Sequence, residues 1–84
     1  MSKKIIITIG TSEDIQRQTF KMRRDNQGSY HYAFGHGIIP ASVSFFLKSA
    51  IKKKLEPVLL ISESTLNKDE IIEVAEKLGV EYHV

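Results

Sequence analysis

The sequence predicts one small α+β or α/β domain spanning residues 1–84, built on a mixed sheet with the element order β-β-β-α-β-α-β. Between Pro40 and Leu55 the apolar residues recur every three or four positions, which is the spacing of a helix with one buried face. The segments Ile5–Ile9 and Val58–Ile61 are apolar without in-and-out alternation, which is typical of central strands covered on both faces. We therefore expect an N-terminal antiparallel hairpin and a C-terminal parallel βαβ unit around this helix.

Length and composition limit the classes of protein that the chain can represent. Its 84 residues, 42% of them hydrophobic, suit a single domain. The absence of cysteine excludes a disulfide framework and a thiolate zinc site. The basic N-terminus Met1–Lys4 precedes an apolar run of only five residues, too short for a signal peptide or a membrane span. The expectation is a soluble cytoplasmic protein without membrane contact.

Charge is divided unevenly along the chain. Residues 1–54 contain ten Lys and Arg against three Asp and Glu, and residues 55–84 contain two against seven, so the halves carry +7 and −5. This division predicts a basic surface for an anionic partner. It is equally consistent with two halves that attract each other, within one chain or between copies.

The first strand, Lys4–Ile9, ends at a loop that is a candidate anion site. Gly10, Thr11 and Ser12 could bind an anion through backbone amides and hydroxyls, although the same residues are common in ordinary loops. Ser12 is also suited to cap a short helical turn at Glu13 and Asp14.

Gln16–Arg24 and Ser29–Phe34 predict an antiparallel hairpin with two possible registers. The favoured register has the three-residue loop Asn26–Gly28 and turns the tyrosines of the second strand toward the core, because a small domain must bury its large apolar side chains. The opposite face then presents a basic surface that we predict to bind nucleic acid, formed by Arg17, Lys21, Arg23 and His31.

The alternative register has a four-residue loop, Asp25–Gly28. It places Lys21 and Arg23 beside Tyr32 and Tyr30, and such interleaved cations and rings are typical of a base-stacking platform.

The connection to the central helix is the second candidate anion site. Gly35, His36 and Gly37 precede a helix that is expected to begin at Pro40, where free amides and the helix dipole favour an anion. The glycines could equally serve only to turn the chain. Phe45 lies beside the apolar face of the helix and is expected to be exposed.

The C-terminal third predicts a strand, a helix and a parallel strand. Asn67 and Glu70 have the spacing of a capping box, and Gly79 is expected to end the helix. The final strand, Val80–Val84, should pair in parallel with Val58–Ile61. With only two predicted helices, either they lie on opposite faces of the sheet or a second copy of the protein covers one face.

The sequence favours a binding module over an enzyme. His31, His36 and His83 have no metal-ligand spacing, and neither a cofactor fingerprint nor a nucleophile–base pair is present, so no metal and no cofactor are expected. The first hypothesis is a regulatory or nucleic-acid-binding module that contacts an RNA or DNA backbone. The second is a protein-binding adaptor, inhibitor or homo-oligomer. The third is a metal-independent ribonuclease that uses His31, with His36 as the next candidate.

Overall fold

The computed structural model describes residues 3–84, so Met1 and Ser2 of the basic N-terminus lie outside the described residues. Helices and strands alternate in the order β-α-β-α-β-α-β. The elements are β1 Lys4–Ile9, α1 Glu13–Asp25, β2 Tyr30–Phe34, α2 Pro40–Lys52, β3 Glu56–Ile61, α3 Lys68–Leu78 and β4 Glu81–His83.

The four strands form one parallel sheet in the order β2-β1-β3-β4. Ile6 of β1 lies opposite His31 of β2 on one side and opposite Val58 of β3 on the other. β1 and β3 are therefore neighbours at the centre of the sheet, which confirms the interpretation of their continuous apolar runs. β4 pairs in parallel with β3, as predicted.

The predicted antiparallel hairpin is wrong, because Gln16–Arg24 belongs to α1. Neither loop register exists, and β2 pairs in parallel with β1 instead. The predicted mixed sheet with the order β-β-β-α-β-α-β is corrected accordingly, and what is confirmed is a small domain that combines helices with a sheet.

Helical spacing of the apolar residues explains why α1 forms. Ile15 and Thr19 are buried against the sheet and Met22 is half-buried, at intervals of four and three residues. The Ser12 hydroxyl accepts a hydrogen bond from the Ile15 amide at 3.2 Å, so the predicted cap is correct. The helix that it caps runs for 13 residues rather than for one turn.

The three helices cover both faces of the sheet. On one face, Ile15 of α1 packs with Ile6 and Leu60. On the other face, the side chains of Ile5, Ile7 and Ile9 pack against α2 and α3. The two helices predicted from the sequence, α2 and α3, thus lie on the same face of the sheet. The opposite face, which a second copy of the protein was one candidate to cover, is covered by α1.

The ends of α2 and α3 differ in part from expectation. α2 begins at Pro40, as predicted, but ends at Lys52 rather than at Leu55. Asn67 has a φ of +59° and, within the described residues, its side chain makes no hydrogen bond to α3, so the predicted capping box is wrong. Gly79 ends α3 with a φ of +68°, as expected of a left-handed C-cap.

None of the helices among residues 3–84 is long and apolar enough to cross a membrane.

Candidate nucleic-acid interface

The sheet order places the basic and acidic halves of the chain at opposite edges. β2, α1 and α2 come from residues 1–54, whereas β4 and α3 come from the acidic remainder. Because β2 and β4 are the two edge strands, the division of charge along the sequence becomes a division across the sheet. The β2 edge therefore carries the surface best suited to an anionic partner.

A groove with a volume of about 340 Å³ lies between β2 and α2. Tyr30 and Tyr32 are 48% and 49% exposed on its wall, although the favoured hairpin register had predicted them to face the core. The ring of Phe46 meets that of Tyr32 edge-to-face, with 5.0 Å between their centres, and so holds one side of the groove. The groove thus presents two partly exposed rings on one strand.

Lysines border the same groove. Lys53 lines it at the C-terminal end of α2. The Lys3 ammonium lies 5.3 Å from the centre of the Tyr30 ring, within cation–π distance. Two lysines therefore flank the aromatic rings on this side of β2, but the residues are not those that the basic-hairpin prediction selected.

Of the four predicted nucleic-acid-binding residues, only two line a common groove. Arg23 and His31 come together on the α1 side of β2, where they line a groove of about 270 Å³ with Phe20, which is 74% exposed. Arg17 does not line this groove, and its guanidinium pairs with the Glu13 carboxylate at 2.7 Å. Lys21 is also exposed on α1 and does not line this groove.

His31 is held by the edge of the sheet. Its Nε2 atom lies 3.3 Å from the Thr8 hydroxyl, which also lies 3.3 Å from the carbonyl oxygen of Tyr32. Partial burial lowers the pKa of His31 below its ordinary value, and the positive charge of Arg23 lowers it further. His31 is therefore neutral near pH 7 and could accept a proton.

The two candidate anion loops meet at the carboxyl ends of the strands. The Thr11 amide donates a hydrogen bond to His36 Nε2 at 3.3 Å, and the Gly10 amide donates to the Phe34 carbonyl at 2.8 Å. Gly10, Thr11 and Ser12 thus lie beside Gly35, His36 and Gly37, which the sequence had predicted only as separate sites. This edge between β1 and β3 is the usual position of ligands in open parallel sheets.

The hydrogen bonds of His36 define its tautomer. Because an amide can only donate, Nε2 is the acceptor, and the proton of the neutral ring lies on Nδ1. Nδ1 is 3.2 Å from the Ser64 hydroxyl, so the ring donates to Ser64 and cannot take its proton. This arrangement joins two loops but does not activate a serine nucleophile.

Two carboxylates lie beside the same edge. Asp14 and Glu63 line the adjoining groove together with Ser12 and with Arg17, whose charge is paired with Glu13, and the Ser12 hydroxyl already caps α1. Negative charge opposes the binding of an anion there. Ser62 and Ser64 also belong to this cluster, and sequence reasoning missed them although they follow a central strand.

Within residues 3–84, no three His, Cys, Asp or Glu side chains lie close enough to hold a metal ion. His83, the third histidine, pairs with Glu81 on β4, at the opposite edge of the sheet from His31. Comparisons of the chain with protein-family models, with curated proteins and with solved structures returned no significant match.

Proposed function

We propose that the protein binds single-stranded nucleic acid, RNA or DNA, along the β2 edge. Bases stack on Tyr30 and Tyr32, and phosphates contact Lys3 and Lys53. The observation that supports this most directly is the groove between β2 and α2, where two half-exposed rings lie beside two lysines. Grooves of this kind bind single strands because every base can stack on a ring while cations follow the backbone.

The rings contribute more than a charged patch would. Stacking of a base on an aromatic side chain is worth about 1–3 kcal/mol. Tyr30 and Tyr32 both lie on the strand β2, which fixes their backbone, and roughly half of each side chain is free to be covered by a base. The entropy lost on binding is correspondingly small.

The exposed face of α1 supports the proposal less well. Arg17 is paired with Glu13, and Asp14 and Asp25 lie on the same short helix. These carboxylates offset the cations that a duplex backbone would require. The proposal therefore transfers nucleic-acid binding from the predicted basic hairpin to the β2 edge.

Fluorescence anisotropy with labelled single-stranded RNA and DNA of about ten nucleotides, which matches common site sizes, tests the proposal. Tyr30→Ala should weaken binding by about tenfold or more, because one stacking contact is lost. Phe45→Ala is the matched control, because Phe45 is 77% exposed on α2 and does not line the groove. Binding should be unchanged in this control.

The salt dependence tests the contribution of the cations. Two phosphate contacts predict that log K falls with log salt at a slope of about −1.4 for a single strand, and Lys53→Gln should reduce that slope by about 0.7. Arg17→Gln should leave the slope unchanged. Absence of binding to either strand at about 50 mM salt, where the electrostatic contribution is strong, would refute the proposal. Equal losses in Tyr30→Ala and Phe45→Ala would also refute it.

The same mixtures test the ribonuclease hypothesis, which the neutral His31 beside Arg23 keeps open. Cleavage of RNA in the presence of a chelator that His31→Ala abolishes would support it. Intact RNA after prolonged incubation would leave binding alone as the activity of this edge.

A further inference from the structure

The edge of β2 lacks the features by which natural sheets prevent pairing with other strands. Its sequence, Tyr-His-Tyr-Ala-Phe, contains no proline, lysine or glutamate, and all but Phe34 are exposed. β4 at the opposite edge is only three residues long and begins with Glu81. Short and charged edges resist pairing, whereas an edge such as β2 is suited to it.

The direction of the β2 backbone determines which groups are free to pair. The carbonyl of Phe34 accepts from the Gly10 amide at 2.8 Å, and that of Tyr32 lies 3.3 Å from the Thr8 hydroxyl, so both face β1. Because successive residues of a strand direct their backbone groups to opposite sides, His31 and Ala33 direct theirs away from β1. Within residues 3–84, no strand lies on that side.

This pattern complements itself. We infer that a second copy of the chain pairs with β2 in the antiparallel direction, with Tyr32 on the two-fold axis. In that register His31 lies opposite Ala33 of the second copy, and the two residues exchange both of their backbone hydrogen bonds. The same exchange occurs on the other side of the axis, which gives four bonds in all. A register centred on His31 or Ala33 would leave only that residue and its copy as a hydrogen-bonded pair within Tyr30–Phe34, which gives two bonds instead of four.

The side chains fit the same register. Tyr32 lies beside Tyr32 of the second copy, and Tyr30 lies opposite Phe34 of the second copy, so aromatic pairs form on the α2 face. On the α1 face, His31 lies opposite the small Ala33. A two-fold contact between identical strands also closes on itself, as expected of a dimer.

Dimerisation would make the proposed binding surface continuous, and this part of the inference rests on the proposed function. The second copy contributes its own tyrosines and Lys53, so that two grooves join across the axis into one groove lined by both copies. The cations near the edge repel one another across the axis, so salt should strengthen the dimer while it weakens binding of nucleic acid.

Single-cysteine variants test the register, because the chain has no cysteine of its own. In Tyr32→Cys the two Cα atoms would lie about 4.5 Å apart, within reach of a disulfide. In Tyr30→Cys, the control, the two positions are separated by four residues along the strands, or about 13 Å. Oxidation should therefore link Tyr32→Cys chains rapidly and Tyr30→Cys chains hardly at all. Equal cross-linking of the two variants, or none, would overturn the register.

Light scattering at high micromolar concentration and moderate salt, without nucleic acid, tests the dimer itself. The wild-type chain should show the mass of two copies. Ala33→Pro should weaken the dimer by about tenfold or more, because proline removes two of the four bonds. The substitution leaves the monomer folded, since that amide faces away from β1. A monomeric mass for the wild-type chain, or a dimer that Ala33→Pro does not weaken, would overturn the inference.

Light scattering and anisotropy on the wild-type chain together separate this inference from the proposed function. A wild-type chain that is monomeric and still binds nucleic acid through Tyr30 would refute the dimer only. A dimer that binds neither RNA nor DNA would refute the proposed function only.

Discussion

The close approach of His36 to Gly10 makes Gly10→Ala the most informative single substitution in the fold. A Cβ atom added to Gly10 would lie 2.6 and 2.7 Å from two atoms of the His36 ring and 2.9 Å from Cβ of Ser62. The residue also has a φ of +76°, a left-handed conformation that costs a residue with a Cβ about 1 kcal/mol. We therefore expect alanine to be strained at this position for two independent reasons.

The expected loss of stability follows from the contacts that the His36 ring must give up. To make room, the His36 ring must leave the Thr11 amide and the Ser64 hydroxyl, at about 1 kcal/mol for each hydrogen bond. With the backbone strain, the total is about 3 kcal/mol, and the lower entropy of the unfolded alanine chain returns about 0.5 kcal/mol. A net loss of about 2.5 kcal/mol lowers Tm by about 10–20 °C in a domain of this size.

Thermal and urea unfolding followed by circular dichroism measure this loss. Gly35→Ala is the matched control, because its φ is not left-handed and no heavy atom of the described residues lies within 4 Å of the added Cβ. It should leave the free energy of unfolding within about 1 kcal/mol of the wild-type value. In a His36→Ala background, Gly10→Ala should cost clearly less than in the wild-type chain, because only the backbone strain and the contact with Ser62 remain. A Tm for Gly10→Ala within about 3 °C of the wild-type value would refute the reasoning.

Two further predictions concern α2 and His31. Leu47→Ala should lower the free energy of unfolding by about 3 kcal/mol because Leu47 is fully buried, whereas Ile51→Ala should lower it by less than about 1 kcal/mol because Ile51 is 42% exposed. Equal losses of stability in urea unfolding would contradict the packing of α2. An NMR titration should place the pKa of His31 below 6.5. Arg23→Gln should raise this pKa, but the pKa should stay below 6.5, because burial is the larger cause of the shift. Because His31 takes up its proton more readily in the unfolded chain than in the native one, the free energy of unfolding should fall as the pH drops below about 6.5. His31→Ala should remove this pH dependence. A pKa of His31 at or above 6.5 would contradict the prediction.

The central strands could be predicted because a continuous run of apolar residues indicates a strand that is buried on both faces. A run such as Ile5–Ile9 must be covered on both faces, and Val58–Ile61 has the same requirement, so their adjacency followed. Pro40 and Gly79 marked helix ends through backbone chemistry alone. These local signals needed no knowledge of the rest of the chain.

The helix at Gln16–Arg24 was missed because two of its apolar residues suggest alternation. Phe20 and Met22 are two residues apart, as on one face of a strand. In the structure Phe20 is the most exposed apolar residue of α1, and of these two side chains only that of Met22 packs against the core. The informative signal was Ile15, Thr19 and Met22 after the Ser12 cap. Thr19 hides this pattern because it is polar, and its buried hydroxyl donates to the Ile15 carbonyl at 2.7 Å.

The predictions of candidate sites were incomplete because the helix at Gln16–Arg24 was missed. Once Gln16–Arg24 is a helix, Ser29–Phe34 must return in parallel beside β1, and only then does the loop of Gly10 meet that of His36. The groove between Tyr30 and Lys53 likewise requires residues that lie far apart in sequence. No local pattern encodes such a meeting, because it results from the order of strands in the sheet.

The basic first 54 residues supply the β2 edge and the acidic remainder supplies the β4 edge, so the charges of the molecule are separated across the sheet and give it an electric dipole moment. This moment lies roughly in the plane of the sheet and across its strands. A net charge of +2 therefore describes the molecule poorly at distances comparable to its 32 Å length. Near a charged surface the protein experiences a torque that turns one edge forward before any contact forms. Its orientation on approach is thus selected by the sheet order, independently of what it finally binds.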